Sequence, residues 1–260
     1  AGLLRAVDGR IRILSAAEAA ELRSAWAGED LTNSVAAITG SVTGTEAGVS
    51  CRIGVRATEF WPHRIAYLKV DRLYPGAGAI LTNRLQMLAT GDVAGVILDL
   101  RGVNGVDLDS VADVASLFAG TNGVLFTLQD LKGNAITTFP LRPAIPFVRP
   151  LMVVIDETTL DAGEVLADCL RDVPRVVLVG TPTRGDHAVR TLIPLADGRS
   201  LLLANRKAIP NRRAARELSG VAPDVVISPW MAGRDVIPGV MDTGGKPLSE
   251  LAVQDKVLLE

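Results

Sequence analysis

The chain has 260 residues, of which 48% are apolar and only 4% aromatic, and its formal charge at pH 7 is −2. This length suffices for one complete hydrophobic core, and an apolar fraction made mostly of Ala, Val and Leu is typical of an α/β protein and excludes a disordered chain. Acidic and basic residues are interspersed, so the sequence predicts no nucleic-acid-binding or membrane-binding surface. No apolar run has the length of a membrane-spanning helix, and we expect no transmembrane segment.

The N-terminal part of the chain predicts a small strand–helix–strand segment. Residues 10–14 form a short strand candidate, and residues 15–26 form a helix that opens with a capping-box pattern. Residues 49–55 alternate as a second strand. We therefore divide the chain into a cap, residues 1–60, and a core, residues 61–260.

In the core, apolar strands alternate with amphipathic helices. The predicted strands are residues 65–73, 93–100, 124–128, 135–139, 151–155, 176–180, 188–194 and 201–205, and the predicted helices are residues 79–89, 109–118 and 162–171. Apart from Asp99, the strand over residues 93–100 is apolar, which is typical of a strand buried on both faces of a sheet. After residue 221 the chain is rich in Pro and Gly, and we expect this extension to lie on the surface.

Three motifs occur in order within residues 65–227. Residues 99–102 read DLRG, residues 156–166 form a turn into a helix that contains AGEVL, and residues 179–186 read VGTPTRGD. In type, order and spacing they resemble the C-terminal processing (tail-specific) peptidases, a family of secreted serine–lysine proteases whose motifs read DLRGNPGG, SASASEIL and VGxxTFGK. The resemblance implies an α/β fold of the Clp protease/crotonase type, a spiral of ββα units whose parallel strands are linked by right-handed crossovers. It also implies that the N-terminal cap is a remnant of a PDZ domain, although a plain structural cap fits the same pattern.

The resemblance places acids at both catalytic positions. Counted from the shared Glu164, the nucleophilic serine of the family falls on Asp161, the general-base lysine on Asp186, and a glutamine four residues later on Arg190. A serine–lysine protease needs a hydroxyl group that attacks and a neutral amine that accepts its proton. Neither aspartate supplies these groups, so the resemblance implies the fold of the protease without its chemistry.

The family's pattern also marks five candidate binding positions. Gly105 and Val106 stand at the paired glycines of the family's oxyanion loop; the second glycine is replaced by Val106, whose Cβ restricts that loop. Thr159 takes the place of a serine that flanks the nucleophile. Lys69 and Asp71 lie on the first predicted strand of the core, and we expect an extended polypeptide to bind beside that strand by strand addition.

The sequence leaves several interpretations of Asp161 open. With Glu164 it matches a capping box, in which its carboxylate accepts hydrogen bonds from the first turn of the helix. If Asp161 and Asp186 lie close together, one pKa is raised unless a cation such as Arg190 intervenes through a forked pair. An acid–base dyad like that of the aspartic proteases is a further alternative, for which the sequence shows no symmetric arrangement.

Two other sites are conceivable around the same positions. A metal site would combine the two aspartates with His187, but neighbours on a strand point to opposite faces. A substitute nucleophile at Thr158 or Thr159 has no evident base in the sequence. We therefore expect no metal and no cofactor.

We expect a catalytically inactive pseudopeptidase that binds or scaffolds a polypeptide or protein partner. One alternative is an active serine-type endopeptidase of the same family with rearranged catalytic residues. Another is a carrier of small hydrophobic ligands, since the retinoid-binding modules of the photoreceptor matrix have a similar fold without protease function. The family resemblance implies an extracytoplasmic location, periplasmic or secreted. The oligomeric state and the pairing of Cys51 with Cys169 do not follow from the sequence.

Overall fold

The computed structural model describes residues 11–27, 55–61, 64–119, 123–171, 173–185, 187–211 and 220–227. Most of the strand predicted over residues 49–55 lies outside these ranges, as do Cys51 and Asp186. In the part of the chain that is described, no helix has the length and apolar composition needed to cross a bilayer.

The described elements are, in chain order, β1 (Ile11–Leu14), α1 (Ala16–Ala27), β2 (Val55–Trp61), β3 (Ile65–Val70), β4 (Arg72–Leu73), α2 (Ala77–Thr90), β5 (Gly95–Asp99), β6 (Asn104–Gly105), α3 (Leu108–Ala119), β7 (Val124–Asp130), β8 (Ala135–Pro140), β9 (Leu151–Ile155), α4 (Ala162–Leu170), β10 (Val176–Gly180), β11 (Ala188–Pro194), β12 (Ser200–Pro210) and β13 (Val225–Val226). Helices and strands alternate through the core as the sequence pattern predicts, and the predicted hairpin of β7 and β8 is present.

A six-stranded sheet forms the centre of the fold, with the order β13-β10-β9-β5-β3-β2. Five strands of this sheet pair in parallel, namely β3, β5, β9, β10 and β13. The edge strand β2 pairs with β3 in the antiparallel sense. Every residue of β5 is buried, with Val96 and Leu98 in the main core and Ile97 in a smaller cluster. The prediction of a strand buried on both faces is therefore confirmed.

A second sheet has the order β1-β12-β7-β8, with β11 also paired to β12. The N-terminal strand β1 runs antiparallel to β12, so the first described strand of the cap belongs to a sheet of the core. The predicted capping box before α1 is present, because the Ser15 N–H donates to Glu18 Oε2 at 2.8 Å and the Glu18 N–H donates to Ser15 Oγ at 3.2 Å. The boundary that we predict after residue 60 falls within β2, and the division into two domains stays a prediction.

The first strand of the core differs from its prediction. Instead of one strand over residues 65–73, the chain forms β3 and then β4, which leaves the central sheet and pairs with β6. Both edges of β3 are occupied, by β2 on one side and by β5 on the other. The expected addition of a polypeptide strand beside β3 is therefore wrong, because no backbone groups of that strand are left to pair with a ligand.

Candidate functional site

The candidate site lies at the carboxyl ends of β5, β9 and β10, where ligand-binding residues collect in parallel sheets. The loop after β5 and the turn after β9 contact each other directly, since the Leu160 N–H donates to the carbonyl oxygen of Val103 at 3.1 Å. Gly163, in the first turn of α4, also faces Val103, and a Cβ on this glycine would overlap the valine side chain. This close packing fixes the turn that carries Asp161.

Asp161 is not the helix cap that the sequence suggests. Its side chain makes no capping hydrogen bond, and its backbone has φ 52° and ψ −124°. A positive φ is unfavourable for a residue with a Cβ, and such a residue between a strand and a helix is typical of the turn that presents the nucleophile in α/β-hydrolases. The capping-box interpretation is therefore wrong, and the unusual conformation points the carboxylate elsewhere.

The carboxylate of Asp161 forms an ion pair with Arg190 of β11. The two side chains are 13% and 20% exposed, so water screens the pair only partly. Burial lowers the pKa of the Arg190 guanidinium from its ordinary value. The structure thus brings together the two side chains that the resemblance predicts at the family's nucleophile and glutamine positions, as a carboxylate and a guanidinium of opposite charge. Whether Asp186 joins this pair lies outside the described residues.

Glu164 anchors the segment that follows β10. Its fully buried carboxylate accepts hydrogen bonds from the Thr183 hydroxyl, from the Gly185 N–H at 2.6 Å and from the His187 N–H at 2.8 Å. These three donors explain why Glu164 does not close a capping box with Asp161. The residue instead joins α4 to the loop on which the resemblance predicts the family's general-base position.

His187 is completely buried beside α4, an arrangement that the sequence analysis missed. Its Nε2 lies 3.0 Å from Asp168 Oδ2, and its Nδ1 lies 3.6 Å from Glu164 Oε2. A metal site that combines His187 with Asp161 is therefore wrong, because the Asp161 side chain contacts Arg190 and the His187 side chain contacts Asp168. The i, i+4 spacing of Glu164 and Asp168 on one face of a helix is the signal that could have predicted a shared partner.

The structure of the loop after β5 explains why residue 105 is a glycine. This glycine has φ 130°, and a Cβ would overlap the carbonyl oxygen of Leu73 where β6 pairs with β4. The close approach of two backbones therefore requires glycine here. Val106 follows at a half-buried position.

Lys69 belongs to a buried charge cluster at the ends of β3 and β5. Its Nζ lies 3.2 Å from Asp99 Oδ1 and also donates to the Arg101 carbonyl oxygen, while the Tyr67 hydroxyl donates to Asp99 at 2.7 Å. Burial raises the pKa of Asp99, but the charges of Lys69 and Arg101 outweigh it and hold that pKa well below its ordinary value. Lys69 is thus engaged within the protein, and Asp71 is half-buried just beyond it.

The two threonines of the turn after β9 have different environments. Thr159 is fully buried, and its hydroxyl donates to the Leu100 carbonyl oxygen at 3.0 Å, which suits a structural role. The Thr158 hydroxyl donates to Asp156 Oδ1 at 2.6 Å and accepts from the Gly102 N–H at 2.8 Å. Burial raises the pKa of Asp156. The expectation that Thr158 has no base is therefore wrong, since a carboxylate lies within hydrogen-bond distance.

Comparison with known proteins agrees with this architecture. The chain is 27% identical over 164 residues to a carboxyl-terminal-processing protease of Synechocystis, and 28% identical over 162 residues to the chloroplastic carboxyl-terminal-processing peptidase 3 of Arabidopsis thaliana. These matches cover 63% and 62% of this chain but only 38% and 31% of the relatives, so the chain spans well under half of their length.

The solved structure of a photosystem II D1 C-terminal processing protease superposes with a TM-score of 0.54 at 25% identity, covering 68% of this chain and 47% of that one. The family model for peptidase family S41 matches residues 64–227, the segment that holds five of the six strands of the central sheet and all three motifs. With the fold, the motifs and the relatives in agreement, this chain belongs to peptidase family S41.

Proposed function

We propose that this protein is a catalytically inactive member of its family that binds or scaffolds polypeptide. The observation that carries the proposal is the ion pair of Asp161 with Arg190 at the position of the family's nucleophile. A carboxylate has no hydroxyl group with which to attack a peptide bond in the manner of serine, and a nearby guanidinium lowers its reactivity further. The sequence also replaces the basic amine, with Asp186.

Polypeptide is the proposed ligand because the relatives are named as carboxyl-terminal-processing proteases. Since β3 has no open edge, an extended chain needs another strand. Within the described residues β11 pairs with β12 alone, and it carries Arg190. A polypeptide that pairs with the outer edge of β11 would pass the Asp161–Arg190 pair, and main-chain hydrogen bonds would supply much of its affinity.

The same proposal includes an extracytoplasmic location, periplasmic or secreted, and a function that needs no metal or cofactor. Fractionation of the source cells would test the location. Measuring activity or binding after treatment with chelators would test whether a metal is needed, and we expect both to be unchanged.

The binding test is a titration of fluorescently labelled, unstructured peptides with the purified protein, followed by anisotropy. We expect saturable binding without cleavage, and the same samples analysed by mass spectrometry report cleavage directly. Substitutions on the β11 edge, such as Leu192→Pro, should weaken binding, because proline removes a main-chain donor. Absence of saturable binding to any peptide, alone or with a partner protein, would contradict the proposal.

A second candidate function is hydrolysis with Thr158 in place of the missing nucleophile. The observation in its favour is the 2.6 Å hydrogen bond to Asp156, a buried carboxylate whose pKa is raised toward that of a useful general base. The test is cleavage of a disordered substrate across acid to alkaline pH, with Thr158→Val as the variant that keeps the shape and removes the hydroxyl. Cleavage that is lost in Thr158→Val would favour this function over binding alone.

One cavity among the described residues bears on the carrier alternative. A cavity among the described residues of α3, β7 and α4 has a volume of about 40 Å³. Ligand pockets commonly measure about 300–1,000 Å³. This cavity is therefore too small for a retinoid-sized ligand.

A further inference from the structure

The segment that joins β8 to β9 is rich in proline. Residues 140–150 read PLRPAIPFVRP, and residues 141–148 lie in neither a helix nor a strand. Three of the prolines stand three residues apart, namely Pro140, Pro143 and Pro146. A proline ring fixes its own φ at about −65°, and it restricts the preceding residue to extended conformations. Most of the backbone from residue 139 to residue 146 is therefore held in the polyproline II region.

The burial of the side chains in this segment repeats every third residue. Phe147 is 2% exposed and belongs to the main core, and Leu141 and Ala144 pack against that core. The three prolines are exposed. Because polyproline II has about three residues per turn, residues three apart share one face, whereas a strand would alternate every second residue. Residues 140–148 thus form a polyproline II helix that buries one face and leaves the other two outward.

Contacts with α3 fix the polyproline II helix in place. The Phe147 N–H donates to the Leu117 carbonyl oxygen at 2.9 Å, and the Arg142 N–H donates to Ser116 Oγ at 2.8 Å. The Arg142 guanidinium also forms ion pairs with two acids of α3. A segment that is already ordered loses little conformational entropy when it binds, so this helix is pre-organised as a ligand.

The outward faces carry apolar side chains next to the exposed prolines. Ile145 is 70% exposed and Val148 is 59% exposed. Both alternate with Pro143 and Pro146 along the solvent side of the helix. Segments with prolines three apart in this conformation bind to grooves lined by aromatic side chains, as in SH3 and WW domains. The outward faces have the shape and the composition that such a groove accepts.

Arg149 follows the polyproline II helix and has no counter-ion within the described residues. No described acid forms an ion pair with it, and its Nε is buried without a hydrogen-bond partner. A cation that is partly removed from water is stabilised by an anion beside it. A carboxylate from outside the described residues would supply this missing charge.

We propose that residues 140–148 are a docking surface for a partner protein with an aromatic-lined groove, and that this groove carries an acidic side chain next to Arg149. The docking surface leads into the amino end of β9, whereas Asp161 follows the carboxyl end of that strand. A partner bound there therefore leaves the candidate site open. This docking does not depend on the proposed function.

The conformation is tested by a further proline. Ile145→Pro fits a polyproline II backbone without strain, so the thermal unfolding midpoint should stay the same or rise. Val177→Pro is the matched control, because Val177 is also exposed, at 42%, but lies within the central sheet, where proline should lower the midpoint. A fall of the midpoint in Ile145→Pro as large as that in Val177→Pro would overturn the inference.

The docking is tested by calorimetric titration of the full chain with purified SH3 and WW domains, chosen with and without an acidic residue at the rim of the groove. We expect saturable binding. Pro143→Ala/Pro146→Ala should weaken it on the order of tenfold, since the prolines bury apolar area in the groove. Alanine substitution of the groove's aromatic residues should have a similar effect. Met87→Ala, at a residue of α2 that is 53% exposed, is the control and should bind as the wild-type protein does.

The charge is tested with Arg149→Gln. This variant should bind the domains with an acidic rim more weakly than the wild-type protein does, and its affinity should depend less on salt. Equal affinities of Arg149→Gln and the wild-type protein for these domains would overturn the acidic contact. Binding by none of the domains, or an equal loss in Met87→Ala, would overturn the docking surface. Self-association of the protein alone that Pro143→Ala/Pro146→Ala abolishes would overturn it as well, because the occupant would then be a second copy of the chain.

Discussion

The imidazole Nε2 of His187 lies 3.0 Å from Asp168 Oδ2, and both side chains are almost completely removed from water. The contact joins the start of the β11 region to the middle of α4, next to the carboxylate of Glu164. It stabilises the loop on which the resemblance predicts the family's general-base position. Because this contact involves no group near the surface, we expect its effect on stability to exceed its effect on binding.

Replacing His187 by Asn should destabilise the protein by about 1–3 kcal/mol. The substitution leaves the Asp168 carboxylate without its imidazole partner, and a buried acceptor that loses a partner costs about this much. Asn is a suitable replacement because it tolerates the positive φ of 42° at this position better than most residues. Urea unfolding measures the change, and a loss below about 0.5 kcal/mol would show that the contact contributes little.

Replacing Arg190 by Gln should lower the free energy of unfolding by about 1–3 kcal/mol. The reason is that the partly buried carboxylate of Asp161 loses its cation. The double variant Asp161→Asn/Arg190→Gln should recover part of this loss, because neither charge is then left alone. The double-mutant cycle measures the coupling, and strict additivity of the two single changes would contradict a direct interaction.

Glu164→Gln should cost about 3 kcal/mol, although it changes only one atom of the side chain. The carboxylate accepts from two backbone N–H groups and a hydroxyl, while an amide offers one oxygen and turns an N–H toward a donor. Glu157→Gln, at an exposed position of the neighbouring turn, is the matched control and should change the stability by less than about 0.5 kcal/mol. Similar losses of stability in the two variants would mean that the buried hydrogen bonds of Glu164 do not account for its effect.

The stability of the protein should fall in acid partly through Asp99. Its folded pKa is depressed below the value of about 3.9 for an unfolded aspartate, because the charges of Lys69 and Arg101 outweigh the effect of burial. The unfolded chain therefore takes up the proton first, so the contribution of Asp99 is fully present above about pH 4 and is lost as the pH falls toward its folded pKa.

Asp99→Asn should remove this part of the acid dependence. Asp156 has the opposite effect on stability, because burial raises its pKa and its protonation in acid therefore favours the folded state. The test is therefore the difference in acid stability between the wild-type protein and Asp99→Asn. Asp92→Asn, which alters an exposed acid paired with Arg64, serves as the control. Parallel acid unfolding curves for the wild-type protein and Asp99→Asn would contradict the prediction.

Asp161→Ser should not create a peptidase. The substitution places a hydroxyl on a turn of suitable conformation, but Asp186 still stands where the resemblance predicts the family's lysine. Incubation of the variant with a disordered substrate, analysed by mass spectrometry, should show the same intact substrate as the wild-type protein does. Cleavage by this variant would mean that another group in the site already serves as a base.

The sequence predicted the fold well because its signals are local and strong. The strands of the central sheet are short apolar runs, and β9, β10 and β11 have the predicted bounds. The capping box of Ser15 and Glu18 also formed as predicted, since it depends only on residues three apart at an exposed helix end. The spacing of the motifs was likewise enough to indicate the family.

The capping-box pattern of Asp161 and Glu164 led to a wrong prediction, because residues distant in the sequence bind both side chains. Arg190 takes the carboxylate of Asp161, and the segment after β10 takes that of Glu164. In the first capping box Arg12 binds Glu18 Oε1, which leaves Oε2 to accept from the Ser15 N–H, so the local pattern is kept.

The sequence by itself thus determined the α/β class, the order of the core elements and the family, because periodicity and motif spacing are properties of neighbouring residues. Only the tertiary structure decided that β3 is closed on both sides by β2 and β5, and that His187 lies against Asp168. Both facts depend on contacts between residues far apart in the chain. Such contacts are chosen by packing and by the need to pair every buried charge, which no local pattern encodes.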